Sequence, residues 1–178
     1  MAQQVLGGHG YIVEWGLEQN VRDARIAQIY EGANGVQALD LLGRKTVRSN
    51  GKLLRVLLQE MDEFSAAQSD IAAMQAPLRA FEACKQLLIE STEWVIKNAA
   101  INPEYIGAAS YGYLQLTGLT LYCFIWQRIL AAAYLAIETG AGNQDYYDGL
   151  VKTGIFLFDV CCLTAKRWRK RLPPSRRF

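Results

Sequence analysis

Glu31 is the residue whose type and setting first suggest chemistry: a lone acid between Tyr30 and Gly32, just past an apolar turn. A carboxylate partly withdrawn from water at that point has a raised pKa and suits proton abstraction. A surface glutamate at a helix end accounts for the same residues, and on residue types alone it is the plainer reading. Two other short patterns precede it. They are Gln4-Val5-Leu6-Gly7-Gly8-His9-Gly10-Tyr11 and Arg22-Asp23-Ala24-Arg25-Ile26, and the stretch around Glu31 continues as Gly32-Ala33-Asn34-Gly35-Val36-Gln37. Other chemistries have little to work with. One histidine, His9, leaves no material for a His-based zinc site or a Ser-His-Asp triad. Cys84, Cys123, Cys161 and Cys162 lack metal-ligand spacing. They read as small buried apolar filling in a reducing compartment, so no metal site is expected.

The elements that must position these residues are helices. Hydrophobic residues make up 51% of the 178 and charged residues 20%, which suits a folded domain rather than a disordered tail. No strand-like alternation of useful length occurs. The chain changes character near Ser49-Asn50-Gly51: it is glycine-rich and irregular before that point and built of long helices after it. Leu17 to Ile29 reads as a short helix, and Val36, Leu39, Leu41 and Leu42 restore an apolar face as far as Lys45. Leu53 to Phe64 follows, with Leu54, Leu57, Leu58 and Met61 at helical spacing. Asp70 is the expected N-cap of a long helix reaching Lys97, with Met74, Phe81, Leu88 and Val95 at intervals of seven. Pro77 inside that run marks either a bend or the real start. Asn102-Pro103-Glu104 is a strong start signal for a helix to Thr139, stopped by Gly140-Ala141-Gly142. Asn143 or Asp145 begins the last helix, which runs to Trp168 ahead of Pro173-Pro174. Gly107, Ala108, Gly112 and Gly118 would let neighbouring helices approach closely. The fold class is therefore all-α, an antiparallel helical bundle, divided as 1–49 and 50–178.

Taken together and in order, the three patterns of the first 45 residues resemble the end of the catalytic core of acyl-CoA dehydrogenases. That family shows Q-x-x-G-G-x-G, then R-D-A, then I-Y-E-G-T-x-x-I-Q at closely similar spacing. Ala38-Leu39-Asp40-Leu41-Leu42-Gly43-Arg44-Lys45 and the helices beyond resemble its longer branch, the methylmercaptopropionyl-CoA dehydrogenases, which carry an added C-terminal helical domain. The resemblance is sharp from Gln4 to Lys45 and architectural afterwards. It implies that residues 1–49 end the C-terminal catalytic helical domain and that 50–178 are the added bundle.

The resemblance implies a role for each matching residue. Glu31 is the base that removes the α-proton of an acyl-CoA thioester while the β-hydrogen leaves as hydride to FAD. Its backbone N–H polarises the thioester carbonyl. Tyr30 and Glu31 meet the substrate, Gly32 allows close backbone approach beside the flavin, and Gln4, Gly7 and Gly8 meet the adenosine-diphosphate part of FAD. Arg22 and Asp23 read as an ion pair bracing the loop. Ala33 departs from the family, which has threonine there; the lost hydroxyl removes one hydrogen bond, about 1 kcal/mol net. The family also implies an electron-transfer flavoprotein as acceptor and a homo-oligomer.

The family's flavin pocket is built largely by an N-terminal helical domain and a middle β-domain, and neither is found in these residues. The chain is expected to be a piece of a larger protein, inactive and a poor FAD binder when isolated. The start has no secretory pattern, and the expected compartment is the cytoplasm. The apolar run Tyr111 to Ile125 is shorter than the roughly twenty residues of a spanning helix, so a buried core helix is expected. From Lys166 onward there are seven cations and no acid, against a whole-chain charge of +2. That tail could hold nucleic-acid phosphates, although a solvated helix end is the plainer account. The bundle after Asn50 has no convergent titratable set and reads as a packing or oligomerisation module; Glu82, Glu90 and Glu93 read as exposed helix acids.

Overall fold

The computed structural model describes residues 2–30 and 32–171, with the backbone alone at 162, 163 and 168–171. All regular structure among them is helical. Helix α1 is Ala2–Val5, α2 Leu17–Ile26, α3 Asn34–Leu39, α4 Lys52–Ala67, α5 Gln75–Ala99, α6 Glu104–Thr139 and α7 Gln144–Arg171. Single 3₁₀ turns cover Gly7–Tyr11, Val13–Trp15 and Ala72–Met74. Contacts gather into two units, Met1–Gln37 and Ala38–Phe178.

In the second unit the boundaries follow from local chemistry. Asn50 and Gly51 take the left-handed conformation at φ 48° and 70°, which turns the chain into α4. The Asn102 side-chain oxygen accepts from the Glu104 N–H at 2.9 Å, so the expected start of α6 is where it forms. Gly140, at φ 65°, ends α6, and the Ala141 N–H donates to the Ala136 carbonyl at 2.9 Å. Of the two proposed starts for α7, Asn143 is the one used, its side chain accepting from the Tyr146 N–H at 3.3 Å. Asp70 does not cap α5. The helix begins at Gln75, after a 3₁₀ turn, with no side-chain cap, and Pro77 sits in its first turn, where the missing N–H has no intrahelical duty.

The expected seam of α5 is buried at every position: Met74, Phe81, Leu88 and Val95 are all 0–1% exposed. Helix α6 packs on both α5 and α7, which also touch each other. Phe124 meets Phe64 edge-on at 5.8 Å and Phe81 at 6.1 Å between ring centres, tying α4, α5 and α6 together. At Gly154 a Cβ would stand 2.7 Å from a Leu130 methyl, so glycine sets how closely α7 lies on α6. Cys84, Cys123 and Cys161 are free and buried, one each from α5, α6 and α7. The Cys84 contact and then burial push the Cys123 thiol far up, so it stays protonated. Cys162 lies outside the described side chains.

Two features had no signal in the sequence. Residues Asp40–Val47 form a π-helical segment, with Arg48 N–H to Gly43 C=O at 3.1 Å and Gly51 N–H to Thr46 C=O at 2.9 Å, both spanning five residues. A buried hydroxyl pair joins α5 and α6, Thr92 and Tyr113 at 2.8 Å, while Thr92 also donates to its own helix at the Leu88 carbonyl. Burial raises the Tyr113 pKa, against the pull of Thr92 and Thr46.

Candidate functional site

The first unit holds the residues singled out for chemistry. Its backbone folds tightly because glycine is placed where nothing else fits. Gly7 has φ 57°, and at Gly10 a Cβ would stand 2.1 Å from the Gln3 carbonyl oxygen. Gly10 therefore lets the 3₁₀ turn Gly7–Tyr11 close onto α1. It was present in the glycine pattern without an assigned role; its signal was the third glycine of the motif. His9 stacks edge-on with Trp15 at 5.8 Å between ring centres, a packing contact beyond that turn.

Gln4, Gly7 and Gly8 lie together on an exposed edge, where α1 runs into the turn. Glycine leaves this backbone bare and exposed. Tyr30 ends the turn after α2, its N–H donating to the Ile26 carbonyl at 3.2 Å, and its side chain is 54% exposed. Gly32 has φ 111°, a conformation that side chains rarely adopt, and a Cβ there would meet the Gln37 amide at 3.1 Å. Ala33 precedes α3, and its carbonyl accepts from the Gln37 N–H at 3.1 Å. With no side-chain oxygen, Ala33 leaves the first turn of α3 without the cap that a threonine would offer. Glu31 lies outside the described residues.

Arg22 and Asp23 do not pair with each other. Successive residues on a helix diverge by roughly 100°. Arg22 binds Glu18 one turn back, while Asp23 accepts from the Gln19 amide at 2.6 Å. Both serve to brace α2. A groove of about 400 Å³ between α1 and α2 is lined by Ala2, Gln3, Leu17, Val21, Ala24 and Arg25 among others; Gln4, Gly7, Gly8, Tyr30 and Gly32 do not line it.

The unit has almost no interior of its own. Gly10 and Glu18 are its buried residues among those described, while Val5, Tyr11 and Val13 are 85%, 77% and 75% exposed. Trp15, Ile26 and Ile29 are more than half exposed as well. So much apolar surface on so short a segment marks a face made to be covered.

Among the described residues the bundle shows no second catalytic site. Glu82, Glu90 and Glu93 are exposed. Lys85 is the buried charge, and it is matched by Asp62 from α4 and by Glu82 at 2.6 Å. Burial presses its ammonium group down, but the two carboxylates outweigh this and hold the pKa above its ordinary value. Among the described residues no three His, Cys, Asp or Glu side chains converge as metal ligands. The end of the basic tail, from 172, lies outside the described residues, and of Trp168, Arg169, Lys170 and Arg171 only the backbone is described.

Residues 1–45 match the acyl-CoA dehydrogenase C-terminal domain, and residues 57–173 match the family described as acetyl-CoA dehydrogenase C-terminal like. The chain is 37% identical over 148 residues to a 3-methylmercaptopropionyl-CoA dehydrogenase of Ruegeria pomeroyi, covering 79% of this chain and 24% of that protein. It is 28% identical over 172 residues to the broad-specificity linear acyl-CoA dehydrogenase FadE5 of Mycobacterium tuberculosis, covering 86% and 26%. Over 42 residues it is 50% identical to the human mitochondrial short-chain specific acyl-CoA dehydrogenase, covering 24% and 10%. The chain thus spans about a quarter of the length of the longer-matching curated relatives. Two consecutive C-terminal domain matches on an all-helical fold show that this chain belongs to the acyl-CoA dehydrogenase family, of which it carries the helical C-terminal portion.

Proposed function

We propose that the chain is the C-terminal part of an FAD-dependent acyl-CoA dehydrogenase in which Glu31 takes the α-proton of the acyl-CoA thioester. The observation that carries this is the ordered series of three motifs within residues 4–37, inside a segment that matches the family's C-terminal domain. The residues present fit one edge of a flavin-nucleotide site. Gln4, Gly7 and Gly8 offer an exposed, bare backbone, and Gly32 holds a positive-φ conformation that side chains rarely adopt. FAD, when bound, supplies the acceptor for the β-hydrogen that leaves as hydride. Glu31 does the rest from this chain: its carboxylate receives the α-proton, and its backbone N–H orients the thioester carbonyl for that transfer. In this reading the exposed Tyr30 is a substrate contact beside it in the sequence.

The apolar faces of the first unit support a further part of the reading: they are covered by the remainder of the dehydrogenase, and the chain in isolation is inactive and holds FAD weakly. The bundle from Ala38 onward contributes packing rather than chemistry: its buried Lys85 is matched by Asp62 and Glu82, and Thr92 pairs with Tyr113. An electron-transfer flavoprotein as acceptor and a cytoplasmic setting complete the proposal.

The test is a chimera in which this chain replaces the matching quarter of the Ruegeria pomeroyi enzyme. A yellow, active chimera that loses turnover in Glu31→Gln while keeping its flavin supports the assignment. An active Glu31→Gln chimera overturns it. Separately, FAD titration of the isolated chain giving tight, stoichiometric binding would refute the view that the flavin site is incomplete.

A further inference from the structure

A groove of about 260 Å³ lies between the first half of α4 and the second half of α5. Its walls are aliphatic: Leu54 and Leu58 from α4, Ile89 and Ile96 from α5. Thr92, between those isoleucines, adds no free hydroxyl. That group donates to the Leu88 carbonyl and pairs with Tyr113, both at 2.8 Å, so what remains for the groove is the threonine methyl.

Two charged side chains share the groove, Arg55 from α4 and Glu93 from α5. Both are exposed. Among the described residues neither side chain has a hydrogen-bond or ion-pair partner, and they do not pair with each other. The guanidinium nevertheless has a defined place. Gly51, at φ 70° just before α4, is a position where a Cβ would stand 3.4 Å from Arg55 Nη1 and 3.4 Å from Ile96 Cδ1. With hydrogen alone at Gly51, the arginine fork folds back one turn against the backbone, at the end of the groove that Ile96 also lines.

The groove therefore offers one fork-shaped cation, one carboxylate and an apolar lining between them. A guanidinium matches a carboxylate through two parallel hydrogen bonds, and the Glu93 carboxylate accepts from an ammonium group. A purely anionic ligand would bring its charge toward Glu93, and a purely cationic one toward Arg55, each a like-charge contact. A volume below the roughly 300 Å³ at which drug-sized sites begin calls for a small molecule. We propose that this groove binds a free apolar α-amino acid: its carboxylate on Arg55, its ammonium on Glu93, and its side chain among Leu54, Leu58, Ile89 and Ile96. This inference does not depend on the dehydrogenase reading and can fail or stand without it.

The experiment is an amide NMR titration of the full 178-residue chain with L-leucine, with 4-methylpentanoate, which lacks the ammonium group, and with 3-methylbutylamine, which lacks the carboxylate. The expected result is saturable shifts at Gly51, Thr92 and Glu93 with a midpoint near about 1 mM for leucine, and about tenfold weaker binding of each analogue. Arg55→Met should abolish the advantage of leucine over the amine, and Glu93→Gln its advantage over the acid. Both side chains are exposed, so helix content should stay unchanged in each variant. No saturation by about 20 mM leucine, far above the expected midpoint, overturns the proposal. So does saturation confined to amides away from the groove, or leucine binding indifferent to both substitutions. Equal binding of leucine and 4-methylpentanoate overturns it in favour of a simple carboxylate, and equal binding of leucine and the amine in favour of a simple cation.

Discussion

The unit Met1–Gln37 and the unit Ala38–Phe178 differ in what holds them. In the second, Phe81, Leu88, Leu116 and Leu130 are shut from water, and each long helix leans on two others. In the first, valines and aromatic rings of comparable size stand in solvent, and shape comes from glycine-permitted turns and short-range pairs such as Arg22 with Glu18. Thirty-seven residues cannot bury enough apolar area to offset the entropy of ordering them. The comparison teaches that the segment carrying the motifs leaves its apolar side chains in solvent, while the bundle holds a core of its own.

The sharpest way to test that contrast is to ask what each unit costs when damaged. In the chimera, Glu31→Gln should lower turnover by about 10²–10⁴-fold with little change in melting temperature, read by steady-state kinetics and calorimetry. Phe81→Ala should do the reverse in the isolated chain, removing about 3–5 kcal/mol in denaturant unfolding. Val13→Ala in the same chain should stay within about 0.5 kcal/mol, because Val13 is already in water. A Val13 effect as large as that of Phe81 would break the comparison, since the first unit would then have a core.

Smaller effects probe how the second unit is joined. Gly154→Ala forces a methyl against Leu130 and should cost about 1–3 kcal/mol, while Gly149→Ala, which meets nothing within 4 Å, should be neutral or slightly stabilising. Tyr113→Phe removes one buried hydrogen bond, to Thr92, and should cost about 1 kcal/mol. The smallest effect is a pH dependence. Lys85 has a folded pKa raised above its ordinary 10.5, so its contribution is complete below that pH and is lost as pH climbs through the higher folded value. Denaturant midpoints measured from pH 9 upward should fall in the wild type above about 10.5 and fall less in Lys85→Met, since the model-amine range is the reference.

Much of the fold could be read from the sequence because its signals are local. The seven-residue spacing in α5, the Asn102-Pro103-Glu104 start and the Gly140 stop each act within a turn or two of helix, so chemistry at one position decides geometry nearby. Asp70 failed as a cap for a nonlocal reason: Met74 and Phe81 are drawn into the core, and the chain before Gln75 tightens into a 3₁₀ turn to deliver them. The π-helical turn at Asp40–Val47 was equally illegible, since an extra residue per turn is favoured only where packing rewards it. At the candidate site, Gln4, Gly7, Gly8, Tyr30 and Gly32 were singled out by their order along the chain. Gly10 shows its purpose only once Gln3 is placed against it.

The sequence alone determined that this is an all-helical chain, where most of its helices start and stop, and which residues stand in the order of the acyl-CoA dehydrogenase motifs. Those follow from capping chemistry, spacing and residue identity, which need no partner. Tertiary structure alone decided that Gly154 sets the distance between α6 and α7, and that one side of α6 is filled while Tyr122 and Ile125 stay in water. These are outcomes of competition among distant groups for the same space, and only the packed chain resolves that competition.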